Sequence, residues 1–170
     1  MAKFIMVRKA SAGGCTGQTE ITYTTAIGDY TANGGLTAVF DTTTNQGAAS
    51  SGATGSQTDG YAGDDAGAGQ SHSINGVEIW GSNNAGHTSS SGNFNVELYG
   101  SNSAPANATD GTLIVTLETN HTGGTASDPL DYTSSPTWTP VAYRYNWVRI
   151  VRVSGSDISY MAELKLYECT

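Results

Sequence analysis

The residue types that could bind a metal ion are concentrated in one short segment, Asp41-Thr-Thr-Thr-Asn45. Hard cations such as calcium prefer several oxygen ligands from carboxylates, hydroxyls and backbone carbonyls. The segment offers a carboxylate, hydroxyls and an amide close together in the chain. The alternative is that Asp41 caps a turn by accepting hydrogen bonds from backbone amides. The residues therefore predict either a calcium site or a capped turn.

The residue types of a hydrolytic enzyme are present, but their spacing fits no catalytic pattern. A triad needs Ser or Cys beside His and a carboxylate, yet His72, His87 and His121 lie in polar stretches. There is no Gly-x-Ser-x-Gly motif and no zinc-finger spacing. Asp64 and Asp65 are adjacent, so on a strand they point to opposite faces, and one should lie at the surface. We expect surface histidines and no enzymatic activity.

A sugar-binding patch is the other chemistry that the residues can support. Sugar recognition combines an aromatic face with polar groups for the hydroxyls. The loop around Tyr132 and Trp138 supplies both, since it also carries Asp131 and follows His121. The alternative is that each aromatic side chain only shields an edge of the fold. Trp80 is a second, weaker candidate.

Composition and charge narrow the classes of fold and partner. The chain has 170 residues, 22 of them glycine, and few long helix-forming segments, which predicts one all-β domain. The net charge is −8, and no Lys or Arg occurs between residues 10 and 143. Such a surface repels phosphate, so we expect no binding to nucleic acid. It suits a cation, a basic partner or a neutral glycan, or it serves solubility alone.

Alternating apolar residues predict strands that recur at short intervals. In the C-terminal pair, Val148 and Ile150 share one face and Leu164 and Leu166 share another, while Trp147 and Glu163 are expected on the opposite faces. A turn-forming segment, 154–157, separates the two runs, which predicts that they pair as an antiparallel unit. The predicted strands are 20–24, 72–81, 94–100, 111–118, 141–153 and 158–168.

Four motifs occur in a recognisable order along the chain. They are Ala38-Val-Phe-Asp41; Gly60-Tyr-Ala-Gly-Asp-Asp-Ala-Gly67 with Ile74 and Val77-Glu-Ile79; Val96-Glu-Leu-Tyr-Gly-Ser-Asn102; and Tyr143-Arg-Tyr-Asn-Trp-Val-Arg-Ile150 with Ala162-Glu-Leu-Lys-Leu-Tyr-Glu168. The series resembles the discoidin domain (coagulation factor 5/8 type C, galactose-binding-like), over residues 36–168. The resemblance implies an antiparallel, jelly-roll-like β-sandwich. Thr42 departs from the pattern, because the family has glycine there.

The resemblance also implies ligand and disulfide residues. Related carbohydrate-binding modules hold calcium through the residues that match Asp41 and Glu163, with Thr44 or Asn45 as further ligands. Many such domains join their ends by a disulfide, which here would link Cys15 and Cys169. The alternative is two reduced thiols, as in a protein kept in a cytoplasm.

The start of the chain bears on location and partners. Met1–Lys9 has an apolar run too short for a signal-peptide core, and no segment could span a membrane. We divide the chain into an N-terminal arm with the first strands, 1–35, and the sandwich, 36–170, within one domain. The preferred function is a non-enzymatic virion subunit, a capsid decoration or tail protein of a tailed phage. It would be made in the host cytoplasm, would contact other virion proteins or copies of itself, and could hold host cell-surface glycans. The alternative is an extracellular carbohydrate-binding module or lectin.

Overall fold

The computed structural model describes residues 17–31, 35–42, 49–50, 59–81, 92–122, 129–134, 136–154 and 160–170. Short antiparallel strands dominate these residues, together with one helical turn. In chain order the elements are β1 (Gln18–Glu20), β2 (Thr25–Gly28), α1 (Gly35–Val39), β3 (Ala49–Ser50), β4 (Asp59–Asp65), β5 (His72–Trp80), β6 (Asn93–Ser101), β7 (Thr112–Thr122), β8 (Leu130–Asp131), β9 (Ala142–Tyr143), β10 (Tyr145–Arg152), β11 (Tyr160–Met161) and β12 (Glu163–Cys169).

The strands form two main sheets that face each other. One sheet has the order β1-β12-β5-β8, with β9 pairing to the start of β5, and the other has the order β2-β4-β10-β6-β7. A further small sheet pairs β3 with β11. Every pairing is antiparallel. The predicted all-β sandwich is confirmed.

The main core lies between the two sheets and is built from residues that alternate along each strand. Val148 and Ile150 of β10 face Leu164 and Leu166 of β12, and all four are fully buried. Side chains on alternate positions share a face, so a period of two buries one whole face of each sheet. The predicted inward faces of both C-terminal strands are therefore confirmed.

The predicted pairing of these two strands is wrong. β10 pairs with β4 and β6, whereas β12 pairs with β1 and β5 in the other sheet. The apolar faces of the two strands meet across the core instead of lying side by side. A turn-forming segment indicates that the chain reverses direction, but it does not indicate whether the next strand joins the same sheet.

The first predicted strand is also displaced. Residues 21–24 lie between β1 and β2 instead of forming one strand. Ile21 is still buried, and its amide donates to the carbonyl of Leu166 at 2.9 Å. The chain crosses here from one sheet to the other, which an isolated β-rich pentapeptide does not reveal.

The outer face of the second sheet carries a small aromatic core of its own. Trp147 is fully buried, stacks on Tyr99 with ring centroids 5.7 Å apart, and donates from Nε1 to the carbonyl of Ala108 at 2.9 Å. The loop 102–111 covers the indole, and a Cβ on Gly111 would lie 2.4 Å from it. Alternation correctly predicted that Trp147 points away from the main core, but the covering loop buries it.

The two ends of the sandwich are used as reference points below. The terminal end is where β5 begins at His72 and β12 ends at Cys169, and the distal end is where β5 ends at Trp80 and β12 begins at Glu163. Among the described residues, no helix has the length and apolar character needed to cross a bilayer.

Candidate functional site

A buried carboxylate, that of Glu163, lies at the distal end of the sandwich. Glu163 stands opposite Trp80 and exposes 1% of its surface. One carboxylate oxygen accepts a hydrogen bond from the amide of Thr42, while Oε2 has no hydrogen-bond partner. Burial raises the pKa of Glu163 to about 7, the Thr42 amide lowers it in part, and the charge of Asp41 raises it. Period-two alternation placed this side chain on the face opposite Leu164 and Leu166, and it is buried there with the Asp41–Thr42 loop against its carboxylate.

The loop that covers Glu163 has an unusual backbone at Thr42. This residue adopts φ 66°, in the left-handed region that β-branched side chains rarely occupy. Its hydroxyl donates to the carbonyl of Asp41 at 2.6 Å. Thr42 therefore takes up a conformation that glycine adopts more readily.

The donor set at the distal end fits a calcium ion. It combines an exposed carboxylate, Asp41, with a buried carboxylate oxygen on Glu163 that no group in the described chain satisfies. Calcium takes oxygen ligands and tolerates irregular geometry. Thr44 and Asn45, the other predicted ligands, lie outside the described residues, and calcium binding stays a prediction.

The two aromatic residues of the predicted sugar patch cover an edge of the sandwich. Tyr132 and Trp138 are both half-buried and pack against the main core. The indole Nε1 of Trp138 donates to the carbonyl of Ile74 at 2.8 Å, and the amide of Tyr132 donates to the carbonyl of Val77 at 2.8 Å. These contacts match the edge-shielding alternative, and sugar stacking on these rings stays a prediction.

A polar seam adjoins this edge. The hydroxyl of Tyr132 donates to Oε2 of Glu118 at 3.5 Å, and Oε1 of Glu118 lies 3.8 Å from Nδ1 of His121. Burial raises the pKa of Tyr132 well above its usual value, and the neighbouring Glu118 raises it further. We call Tyr132, Glu118 and His121 the seam. Glu118 had no sequence signal, because one acidic residue within a strand carries no pattern.

Asp131 is not part of the seam. It is exposed, and its Oδ1 accepts bonds from the amide and hydroxyl of Thr133 at 2.8 and 2.7 Å. This geometry is that of a turn-capping carboxylate. The structure thus brings two of the four predicted sugar-binding residues, Tyr132 and His121, to one carboxylate, and leaves Trp138 and Asp131 elsewhere along the edge.

The expectation that all histidines lie at the surface is wrong for His72. Its side chain exposes 18% of its surface and lies between Asp64 and Glu168. His121 is half-buried against Phe94, with ring centroids 5.1 Å apart, and His87 lies outside the described residues. Asp64 and Asp65 do point oppositely, since Asp64 is fully buried while Asp65 pairs with Arg144 at 2.7 Å.

Of the two cysteines predicted to form a disulfide, Cys169 lies in the described part of the chain. Cys169 ends β12 and stands opposite Gln18, three positions after Cys15 in the sequence. Cys15 itself lies outside the described residues. The Cys15–Cys169 disulfide stays a prediction.

No protein-family model matches the sequence, and no curated protein matches it either. Solved structures do resemble the fold. A family 32 carbohydrate-binding module from C. perfringens NanJ, solved with galactose, has a TM-score of 0.54 at 14% identity, over 85% of this chain and 93% of that one. A family 62 module from Clostridium thermocellum Xyl5A has a TM-score of 0.54 at 19% identity, over 89% and 97%. Truncated AlyQ, with family 32 and alginate lyase domains, has a TM-score of 0.56 at 15% identity, over 89% of this chain.

The chain spans 34% of the AlyQ chain but nearly the whole length of the two isolated modules. At identities below one fifth, this similarity establishes the fold alone. The fold is a galactose-binding-like β-sandwich of the discoidin type, and its structural neighbours are carbohydrate-binding modules and lectins. The fold that the sequence resemblance implied is confirmed.

Proposed function

We propose that this chain is a non-catalytic glycan-binding module. The observation that carries the proposal is the match in fold and length to isolated carbohydrate-binding modules, one of them solved with galactose. The acidic, Lys- and Arg-poor composition is compatible with a neutral glycan and disfavours a phosphate-rich ligand. The proposal reverses our sequence-based order of preference, in which a virion subunit came first.

The seam is the proposed place of contact within the described residues. Glu118 and His121 offer hydrogen-bond acceptors and donors for sugar hydroxyls, and the half-buried ring of Tyr132 offers an apolar surface beside them. Sugar sites combine these two kinds of group because a pyranose ring has polar edges and an apolar face. Trp138 would contribute by holding this edge in place through its bond to the carbonyl of Ile74.

Calcium has a structural part in this proposal. Asp41 and Glu163 would hold the ion, which when bound supplies positive charge to a buried carboxylate. It would fix the Asp41–Thr42 loop at the distal end without touching the glycan at the seam.

A glycan array with the purified chain tests the function, and matched tyrosine variants test the site. Tyr132→Phe removes only the hydroxyl that meets Glu118, so we expect at least a tenfold loss of affinity with the fold retained. Tyr167→Phe is the control, because its hydroxyl also donates to a carboxylate, Glu78, at 2.7 Å, but outside the seam. We expect this variant to bind as the unmodified chain does.

The outcomes separate the function from the site. If the unmodified chain binds no glycan with or without calcium, the proposed function is wrong. If the chain binds but Tyr132→Phe and His121→Ala leave the affinity unchanged, the function stands and the seam is not its site. Alanine at Tyr132 or Trp138 is a poorer test, because both residues pack against the core.

Neither the fold nor the comparisons support a virion role, which stays a prediction from the sequence. A glycan-binding module of this kind would act outside the cell, and an extracellular location is part of the proposal. Light scattering on the natively purified protein tests the other hypothesis. Co-purification in a megadalton particle would support the virion subunit, and a free monomer or small oligomer would contradict it.

A further inference from the structure

A second buried carboxylate lies at the terminal end of the sandwich, and its surroundings differ from those of Glu163. Asp64 of β4 is fully buried, and its Oδ1 accepts bonds from the amides of Thr24 and Thr25 at 2.8 and 3.1 Å. Its Oδ2 has no hydrogen-bond partner. The backbone thus holds one carboxylate oxygen in place, while the other oxygen is buried without a hydrogen-bond partner.

Asn146 carries a second unsatisfied oxygen and is the cross-strand neighbour of Asp64. It stands directly opposite Asp64 in the β4–β10 pairing, so the two Cβ atoms are about 5 Å apart. Asn146 is fully buried, and its Nδ2 donates to the carbonyl of Tyr143 at 2.8 Å. Its Oδ1 has no partner. Buried polar atoms without partners are rare in native proteins, and each one calls for an explanation.

His72 brings a ring nitrogen close to the unsatisfied oxygen of Asp64. Its Nδ1 lies 3.0 Å from Oε2 of Glu168, and its Nε2 lies 3.8 Å from Oδ2 of Asp64. In the neutral tautomer that donates from Nδ1 to Glu168, Nε2 presents its lone pair towards Oδ2 of Asp64. In that tautomer two lone pairs face each other, and a cation between them would remove their repulsion.

The groups around Asp64 and His72 have the features of a preorganised metal site. Metal-binding histidines usually donate their other ring N–H to a carboxylate, which fixes the ring and its tautomer, and Glu168 stands in that position. Zinc holds nitrogen and oxygen ligands at about 2.0–2.2 Å, so two of its ligands lie roughly 3–4 Å apart. Burial raises the pKa of Asp64, the two amides lower it in part, and the charge of His72 lowers it less. A cation at this place would relieve the burial cost of the carboxylate.

We propose that His72 Nε2, Asp64 Oδ2 and Asn146 Oδ1 bind a divalent transition-metal ion of the zinc type at the terminal end of the sandwich. The imidazole nitrogen favours zinc, cobalt or nickel over calcium. No three His, Cys, Asp or Glu side chains of the described chain converge on a metal position, and the third ligand here is an asparagine amide. The partial exposure of His72 leaves room for water as a fourth ligand.

The ion would join the two sheets, since Asp64 and Asn146 belong to one and His72 to the other. Metal binding should therefore stabilise the whole sandwich. With chelator-treated full-length protein we expect one zinc ion per chain by calorimetric titration. We also expect Tm to rise by roughly 5–10 °C at a hundredfold excess over Kd.

Two histidine variants locate the ion. His72→Phe should abolish zinc binding and the rise in Tm. His121→Ala is the matched control, because His121 also lies 3.8 Å from a carboxylate, Glu118, but at the exposed edge, and it should leave both unchanged. Binding that survives His72→Phe, or that disappears in His121→Ala, would overturn the proposal.

Asn146→Asp tests the third ligand by a gain of affinity. It places a second carboxylate beside Asp64, so the metal-free variant should unfold at a lower temperature than the metal-free unmodified chain. Zinc should then bind at least tenfold more tightly than to the unmodified chain. The visible absorption bands of bound Co²⁺ should change in the same variant, which gives a readout independent of stability. No change in affinity or spectrum would remove Asn146 from the site.

The remaining outcomes are decided by two further measurements. Cysteine sulfur also binds zinc, so the titration is repeated with Cys15 and Cys169 both changed to serine. Loss of zinc binding in a variant that keeps its far-UV circular dichroism would assign the ion to the cysteines and overturn the proposal. If no zinc, cobalt or nickel binds the unmodified chain, the metal site does not exist.

Discussion

The two ends of the sandwich each hold a buried carboxylate with one unsatisfied oxygen, but the groups around them differ. Glu163 at the distal end accepts one backbone bond, from Thr42, and its neighbour is another carboxylate, Asp41. Asp64 at the terminal end accepts two backbone bonds, lies 3.8 Å from an imidazole nitrogen of His72 and stands opposite Asn146. The first environment offers oxygen ligands, and the second adds nitrogen.

Burial of a carboxylate alone does not determine which cation it would bind. Both carboxylates pay a desolvation cost, which raises the pKa of each. What separates them is the chemistry of the partners, since oxygen ligands favour a hard cation and imidazole favours a borderline one. Four experiments test whether the two ends differ in this way.

The largest expected effect is a loss of stability with rising pH at the distal end. The pKa of Glu163 is about 7 in the folded chain, against 4.5 for an ordinary glutamate. Between these values the folded chain binds more protons than the unfolded chain, so stability falls as pH rises. The contribution is complete below pH 4.5 and lost above pH 7, about 3 kcal/mol in all.

Urea unfolding from pH 4 to 8 with calcium chelated measures this slope. Glu163→Gln is the control, because it keeps the shape and cannot ionise, and the difference between the two curves isolates Glu163 from Asp64 and Asp29. Parallel curves would show that Glu163 titrates normally.

At the terminal end, Asp64→Ala should cost about 2–3 kcal/mol of unfolding free energy. It leaves the amides of Thr24 and Thr25 without their acceptor and opens a small cavity. Asp65→Ala is the neighbouring control, since this side chain forms a partly exposed pair with Arg144 and should cost about 1 kcal/mol or less. Equal losses in chemical denaturation would contradict the distinct roles of the two carboxylates.

Calcium should act at one end only. At a tenfold excess over Kd it should stabilise the chain by about 1.4 kcal/mol, and Glu163→Gln should remove most of that gain. His72→Phe should leave it intact. If the rise in Tm with calcium were lost in His72→Phe instead, calcium would bind at the terminal end. That result would contradict the assignment of the hard cation to Glu163.

The smallest effect concerns the backbone beside Glu163. Thr42→Gly should relieve the strain of φ 66° and stabilise the chain by about 0.5–1 kcal/mol after the entropy cost of glycine. Thr37→Gly, at an exposed position in α1, is the control and should destabilise by a similar amount. A loss of stability in Thr42→Gly would show that the hydroxyl bond to Asp41 outweighs the strain.

Parts of the candidate sites were visible in the sequence, and parts were not. Asp41 and Glu163 came from motifs of a known family, and the structure brings the Asp41–Thr42 loop onto Glu163. Glu118, Asn146 and Glu168 were missed, because each acquires its role only from residues that are distant in the chain. His72 was misjudged for the same reason, since its polar neighbours in sequence suggested solvent.

The fold class, most of the strands and the faces that they bury could be predicted from the amino-acid sequence. These features follow from local properties: the alternation of apolar residues, the turn-forming segments and the scarcity of helix formers. Only the packed structure shows that β10 and β12 lie in different sheets, that the loop 102–111 buries Trp147, and that Asp64 lies opposite Asn146 and 3.8 Å from His72. Those outcomes depend on contacts between residues far apart in the chain, whose free energies appear only when the two sheets pack together.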